Sequence, residues 1–182
     1  SGGKLHPPVS EREPETHGVP PWMVPSVRLA DALAETAVRY VVVGVGGANF
    51  HTLDPAEPFD TGDLDLLLPL DGENLKRAWD ACGRLGLQMK GGDPERVVAE
   101  RLTTRATRPG ELVLDLSLEI SAFAFDDVWA ERRTFLVDGV EIPVARLSQI
   151  IRSKAATNRE QDRRFLATHA ERLRRMLDED ED

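Results

Sequence analysis

The sequence predicts an α+β (α/β) fold: a mixed, twisted β-sheet with flanking helices that closes on a C-terminal helix pair. Three observations carry this. Short β-branched or leucine-rich runs occur near residues 39–43, 63–68 and 112–120; amphipathic helical stretches lie between and after them; and Gly, Pro and Asp mark the joins.

The 182 residues suit one domain with extended ends. A hydrophobic share of 41% and a charged share of 30% are ordinary for a globular chain. No apolar run approaches the ~20 residues that cross a bilayer, and no basic-then-apolar leader pattern opens the sequence. A membrane partner is therefore not expected. The lone Cys82 excludes an intrachain disulfide and fits a reducing compartment, so the cytoplasm is the expected location.

Residues 1–25 hold six of the 12 prolines and little apolar periodicity, which predicts an extended or disordered arm. The domain is expected over 26–177, followed by an acidic tail, 178–182. Ser26 is the expected cap of a first helix, with Leu29, Leu33 and Ala37 on one face. Arg39-Tyr40-Val41-Val42-Val43 reads as a buried strand broken by Gly44-Val45-Gly46-Gly47, with a short helix expected at about 48–52. After a loop with two prolines, 63–68 is a second strand. Asp71 caps a helix carrying Leu75, Trp79, Cys82 and Leu85 on one face, and Gly86 ends it. Residues 87–89 suggest a short strand. Residues 98–107 and 112–120 flank Pro109-Gly110 as an antiparallel hairpin, and a second hairpin turns at Asp138-Gly139. Helices at about 147–158 and 160–177 complete the domain.

The formal charge of −9 is uneven. Between Arg146 and Leu177 nine Lys/Arg face three Asp/Glu, a local +6, which leaves −15 on the remainder. Such a basic segment either forms a solvated face or meets a phosphate-bearing ligand.

The most informative stretch is Thr61-Gly62-Asp63-Leu64-Asp65-Leu66. On a strand, residues i and i+2 project to one side, so Asp63 and Asp65 stand together while Leu64 and Leu66 face the other way. Like charges side by side repel, and Asp is a poor strand former. A cation between them removes that cost, and Mg²⁺ prefers carboxylates together with phosphate oxygens. Asp115 is a third acid on the polar face of Leu114-Asp115-Leu116. Three converging carboxylates suit a pair of metal ions ~3.5–4 Å apart. Upstream, Gly46 and Gly47 would let backbone N–H groups approach a triphosphate closely.

In this order, Val43-Gly44-Val45-Gly46-Gly47-Ala48, His51, Asp63-Leu64-Asp65 and Leu114-Asp115-Leu116 resemble the DNA polymerase β-like nucleotidyltransferase superfamily, including its minimal and AbiE-type toxin-like members. The likeness spans residues ~39–166, and the order of the motifs is more specific than any one of them. The resemblance implies that Asp63, Asp65 and Asp115 hold Mg²⁺ or Mn²⁺, with Gly46 and Gly47 at the phosphates. It implies a nucleoside triphosphate as donor, an RNA (such as a tRNA end), protein or small-molecule hydroxyl as acceptor, and a cognate antitoxin as partner if the chain is a toxin. The C-terminal Lys154 and Asp162 look like the helix-borne Lys and Asp of toxin-like members, where the Lys contacts nucleotide phosphate and the Asp lies near the active site; surface helix roles are the alternative for both.

Two positions depart from the pattern: Gly47 replaces a common Ser, and Phe59 stands where toxin-like relatives often show Arg. They lend weight to a second expectation, a catalytically inactive nucleotide-binding or protein-interaction module. His51 is expected as a structural, hydrogen-bonded histidine, Trp79 and Trp129 as core residues, Trp22 as a group docking on the domain, and Cys82 as inert packing.

Overall fold

The computed structural model describes residues 18–111 and 113–180; most of the proline-rich arm lies outside them. Seven strands form one mixed sheet in the order β3-β4-β5-β2-β1-β7-β6. These are β1 (Val41–Val43), β2 (Asp63–Leu67), β3 (Gln88–Met89), β4 (Thr104–Thr107), β5 (Val113–Ser117), β6 (Arg133–Val137) and β7 (Val140–Val144). The two inner contacts of β2 set up the site. It runs antiparallel to β1 and parallel to β5.

Helices cover both faces. One face packs against α1 (Val24–Glu35), α3 (Gly72–Arg84) and α4 (Pro94–Glu100), burying Leu33, Leu66, Leu75 and Leu116. The other carries Val41, Val43 and Leu67 against α2 (Gly44–Asn49), α5 (Phe125–Glu131), α6 (Leu147–Thr157) and α8 (Ala170–Asp180), with Val128, Leu147 and Met176 fully buried. Each fully buried Leu or Val contributes about 1.5–3 kcal/mol against the entropy of ordering the chain. α7 (Glu160–Thr168) bridges α6 and α8.

Local chemistry accounts for most boundaries. Asp71 accepts from the backbone N–H groups of Glu73 at 3.0 Å and Asn74 at 3.3 Å and starts α3 as expected. Gly86, at φ +76°, ends that helical segment. The β6–β7 hairpin turns at Asp138-Gly139, both with positive φ. Trp22 docks on the domain, its indole N–H donating to the Pro55 carbonyl at 2.8 Å and its ring edge-on to Phe50.

Several expectations need correction. α1 begins at Val24, so Ser26 lies inside it and does not cap it. α2 begins at Gly44, ahead of the expected start near residue 48. Part of the expected strand at 98–107 is helical, because Asp93 caps and Pro94 opens α4. The C-terminal pair is three helices, since the chain bends at His169 (φ −108°, ψ 14°) between α7 and α8. Helix α8 continues into the acidic stretch. There the Asp180 carboxylate lies 3.4 Å from His51 Nδ1, 3.5 Å from Arg133 Nε and 3.9 Å from Arg146 Nε.

Candidate active site

Register brings the acids together. Asp65 on β2 is the direct partner of Asp115 on β5 and of Val43 on β1. Side-chain alternation sends Asp63, Asp65 and Leu67 to one face; Leu67 sinks into the core there and the two acids sit toward the open end. Immediately after Val43 the chain turns into α2 at Gly44, whose φ is +67°. A Cβ on Gly44 would collide with Asp65 Oδ2. Glycine here serves both the turn and the carboxylate's space.

A cleft of about 780 Å³ opens over this floor. Gly44, Asp65, Asp115 and Ser117 line one side, and Gln149, Ser153, Lys154, Thr157 and Asp162 of α6 and α7 line the other. Asp63 instead borders a second cavity of about 310 Å³ with Trp22, Ser26, Gly46, Phe59 and Thr61.

The charges are not balanced around Asp65. Burial, then the neighbouring Asp115 and Asp63 carboxylates, push its pKa up to about 6, against the opposing pull of Lys154 and Arg105. Asp115 has its own counter-ion. Arg105 on β4 is its cross-strand partner, and the guanidinium donates from Nε to Oδ1 at 2.8 Å and from Nη2 to Oδ2 at 3.1 Å. That is a two-point fork on a carboxylate only 13% exposed.

On the opposite wall, Lys154 Nζ donates to Asp162 Oδ1 at 2.9 Å, while Thr157 Oγ1 and Arg159 Nε donate to Asp162 Oδ2 at 2.5 and 2.9 Å. The Asp162 side chain is 3% exposed. Burial alone would raise its pKa; the hydrogen bonds from Thr157 and Lys154, with the Lys154 charge, outweigh that and hold it below the usual carboxylate range. Asp162 thus fixes Lys154 in the wall of the cleft.

The glycine pair behaves differently from expectation. A Cβ on Gly47 would lie 3.0 Å from the Val42 carbonyl and 3.1 Å from Ile150 Cδ1, so Gly47 is a close-packing residue between β1 and α6 and lines neither cavity. Gly46 borders the second cavity and not the main cleft. The reason is the early start of α2, which leaves Gly44 as the glycine at the acids. His51 is structural, as expected: it is buried, with Nε2 2.9 Å from the Ala145 carbonyl. Phe59, 3% exposed, packs edge-on against Phe165 and His169, with Arg172 over its ring at 4.0 Å. Cys82 is fully buried and its thiol is pushed up to about 11 by that burial.

As donors, the three carboxylates suit a hard divalent cation, and a positive charge beside Asp65 would offset the burial and the like-charge repulsion that raise its pKa. As a three-ligand set they do not fit in the geometry observed. Each oxygen of Asp115 already accepts a hydrogen bond from Arg105, and among the described residues no group of three His, Cys, Asp or Glu is placed to hold a metal ion. Of the two β2 acids, Asp65 faces the main cleft and Asp63 the second cavity.

Gly44, Arg105, Thr157 and Arg159 belong to this site and were not singled out in the sequence. For Arg105 the signal was present: it lies as far before Gly110 as Asp115 lies after it, so a regular hairpin places them opposite each other.

No family model matches the chain, and no curated protein matches its sequence. Among solved structures it is similar to an antigenic nucleotidyltransferase-like protein from Paracoccidioides brasiliensis, at 18% identity and a TM-score of 0.49, over 84% of this chain and 73% of that one. Among the described residues, no helix is long and apolar enough to cross a membrane.

Proposed function

We propose that the chain is a metal-dependent nucleotidyltransferase, moving a nucleoside monophosphate group from a nucleoside triphosphate to an acceptor hydroxyl. One observation carries this reading: Asp65 and Asp115 are paired across neighbouring strands on the floor of a polar cleft whose far wall presents a fixed lysine. A triphosphate and a carboxylate floor repel, so Mg²⁺ or Mn²⁺ between them, held by Asp63 and Asp65, would supply the missing charge on the transferring and departing phosphates.

The chain's own residues would do the rest by positioning and charge. Lys154, held by Asp162 and facing the floor, meets the phosphates. Gly44 keeps the floor clear of a side chain, and the bidentate Arg105 fixes the direction of Asp115. The acceptor hydroxyl oxygen attacks the α-phosphorus as the bond to the pyrophosphate oxygen breaks, its proton passing to water and the bonding pair leaving with pyrophosphate. The second cavity, beyond Asp63, suits the acceptor's end: among the described residues its charged lining is Asp60 and Asp63, with no Lys or Arg. That lining favours an uncharged or cationic group of a protein or small molecule over another polyphosphate, leaving an RNA end to be tested beside them.

Label transfer tests the reading directly. With Mg²⁺ or Mn²⁺, α-labelled triphosphates and a cell extract, the native chain should label an acceptor and Asp65→Asn should not. A toxin role, with a cognate antitoxin, predicts growth arrest on expression that Asp65→Asn relieves.

A second reading is favoured by the Arg105 fork on Asp115 and by the packed Gly47: a nucleotide-binding or protein-interaction module without turnover. It predicts triphosphate binding with no label transfer under any metal or extract.

A further inference from the structure

We propose that Arg159 is a second phosphate-binding cation of the cleft, set outward of Lys154, so that the wall formed by α6 and α7 takes two phosphates of a polyphosphate chain and favours it over a single phosphate. This rests on the reading of the cleft as a triphosphate site. Three features of the molecule argue for it. First, one carboxylate serves two cations. Lys154 Nζ reaches Asp162 Oδ1 and Arg159 Nε reaches Oδ2, each at 2.9 Å, so Asp162 offsets one of the two charges and the trio keeps a net positive charge. Thr157 Oγ1, which also donates to Asp162, accepts from the Arg159 backbone N–H at 3.3 Å and ties that residue to the corner after α6.

Second, the guanidinium is held at one edge only. Among the described residues its Nε donates to Asp162 and neither Nη donates a hydrogen bond. The held edge fixes the group, and its free pair of amino groups is a fork that matches two oxygens of one phosphate. Third, the two cations stand at different depths in the cleft that both line. The Lys154 side chain is 16% exposed and its charge reaches Asp65 on the floor, whereas Arg159 is 64% exposed. A row of phosphates that starts at the floor meets Lys154 first and Arg159 further out. A single phosphate held at Lys154 uses the inner cation alone.

Titrating the full chain in Mg²⁺ with inorganic tripolyphosphate and with orthophosphate, followed by ³¹P nuclear magnetic resonance, tests this without a base or sugar. Arg159→Gln should weaken tripolyphosphate about tenfold or more and orthophosphate less than about threefold. Arg159→Lys keeps the charge and loses the fork, so it should fall between the native chain and Arg159→Gln. Lys154→Gln should weaken both anions. Unchanged tripolyphosphate binding by Arg159→Gln, or equal weakening of both anions, would overturn the role given to Arg159 while leaving the cleft as a phosphate site. No tripolyphosphate binding by the native chain would overturn the triphosphate reading and this inference with it.

Discussion

Gly44 stands where any other side chain would strike the Asp65 carboxylate. It also holds a left-handed φ of +67°, so a substitution there meets a backbone penalty and a steric one together. Gly44→Ala should therefore cost about 2 kcal/mol or more in denaturant unfolding. It should also lower label transfer more than that instability alone explains, because the displaced group is Asp65. A variant of native stability and full transfer would refute both expectations.

Asp65 should make the metal-free chain less stable at neutral pH than in mild acid. Its folded pKa of about 6 is raised above the ordinary 3.8, so the folded chain holds more protons than the unfolded one between those values. Stability from this group is complete below about pH 4 and is lost as pH rises through about 6. Asp65→Asn should remove that slope and stabilise the metal-free chain at pH 7 by on the order of 2–3 kcal/mol. Adding Mg²⁺ should raise the melting temperature of the native chain at pH 7 and not that of Asp65→Asn.

The Lys154–Asp162 pair should respond to pH in the opposite sense. The folded pKa of Asp162 is depressed, so its stabilisation is present above the unfolded value and fades as pH falls through the folded one. Asp162→Asn leaves Lys154 with a weakened partner in a largely buried setting. A loss of about 2–4 kcal/mol and weaker triphosphate binding should follow, measured by chemical denaturation and calorimetry. Unaltered binding in a folded variant would detach Lys154 from the phosphates.

Phe59 should behave as a core residue. Phe59→Ala empties a site bounded by Phe165, His169 and Arg172 and should cost about 3–5 kcal/mol in unfolding free energy. A loss under 1 kcal/mol would show that this contact adds little.

What could be read from the chain beforehand was whatever depends on short range. Leucine–aspartate alternation set β2 and β5 and the face of their acids; Asp71 and Asp138-Gly139 marked a helix start and a hairpin turn. The parallel pairing that puts Asp65 next to Asp115 links residues fifty apart, and nothing in either strand alone specifies its neighbour. Val98 favoured a strand on propensity, yet Asp93 and Pro94 turned it into α4. The diglycine drew attention from Gly44 because a glycine pair reads as a turn, whereas close packing on Val42 and Ile150 explains Gly47. The bend at His169 belongs to tertiary packing, since Phe165 and His169 close around Phe59.

The grip of Arg133, Arg146 and His51 on Asp180 bears on where the protein can be shortened. Trimming at residue 177, the limit that charge composition recommends, would strip the anion from between two guanidinium groups and an imidazole. A shortened chain that keeps residue 180 should melt later than one that stops three residues sooner. Asp180, in a stretch that looks like solubilising ballast, fastens the last helix to the sheet.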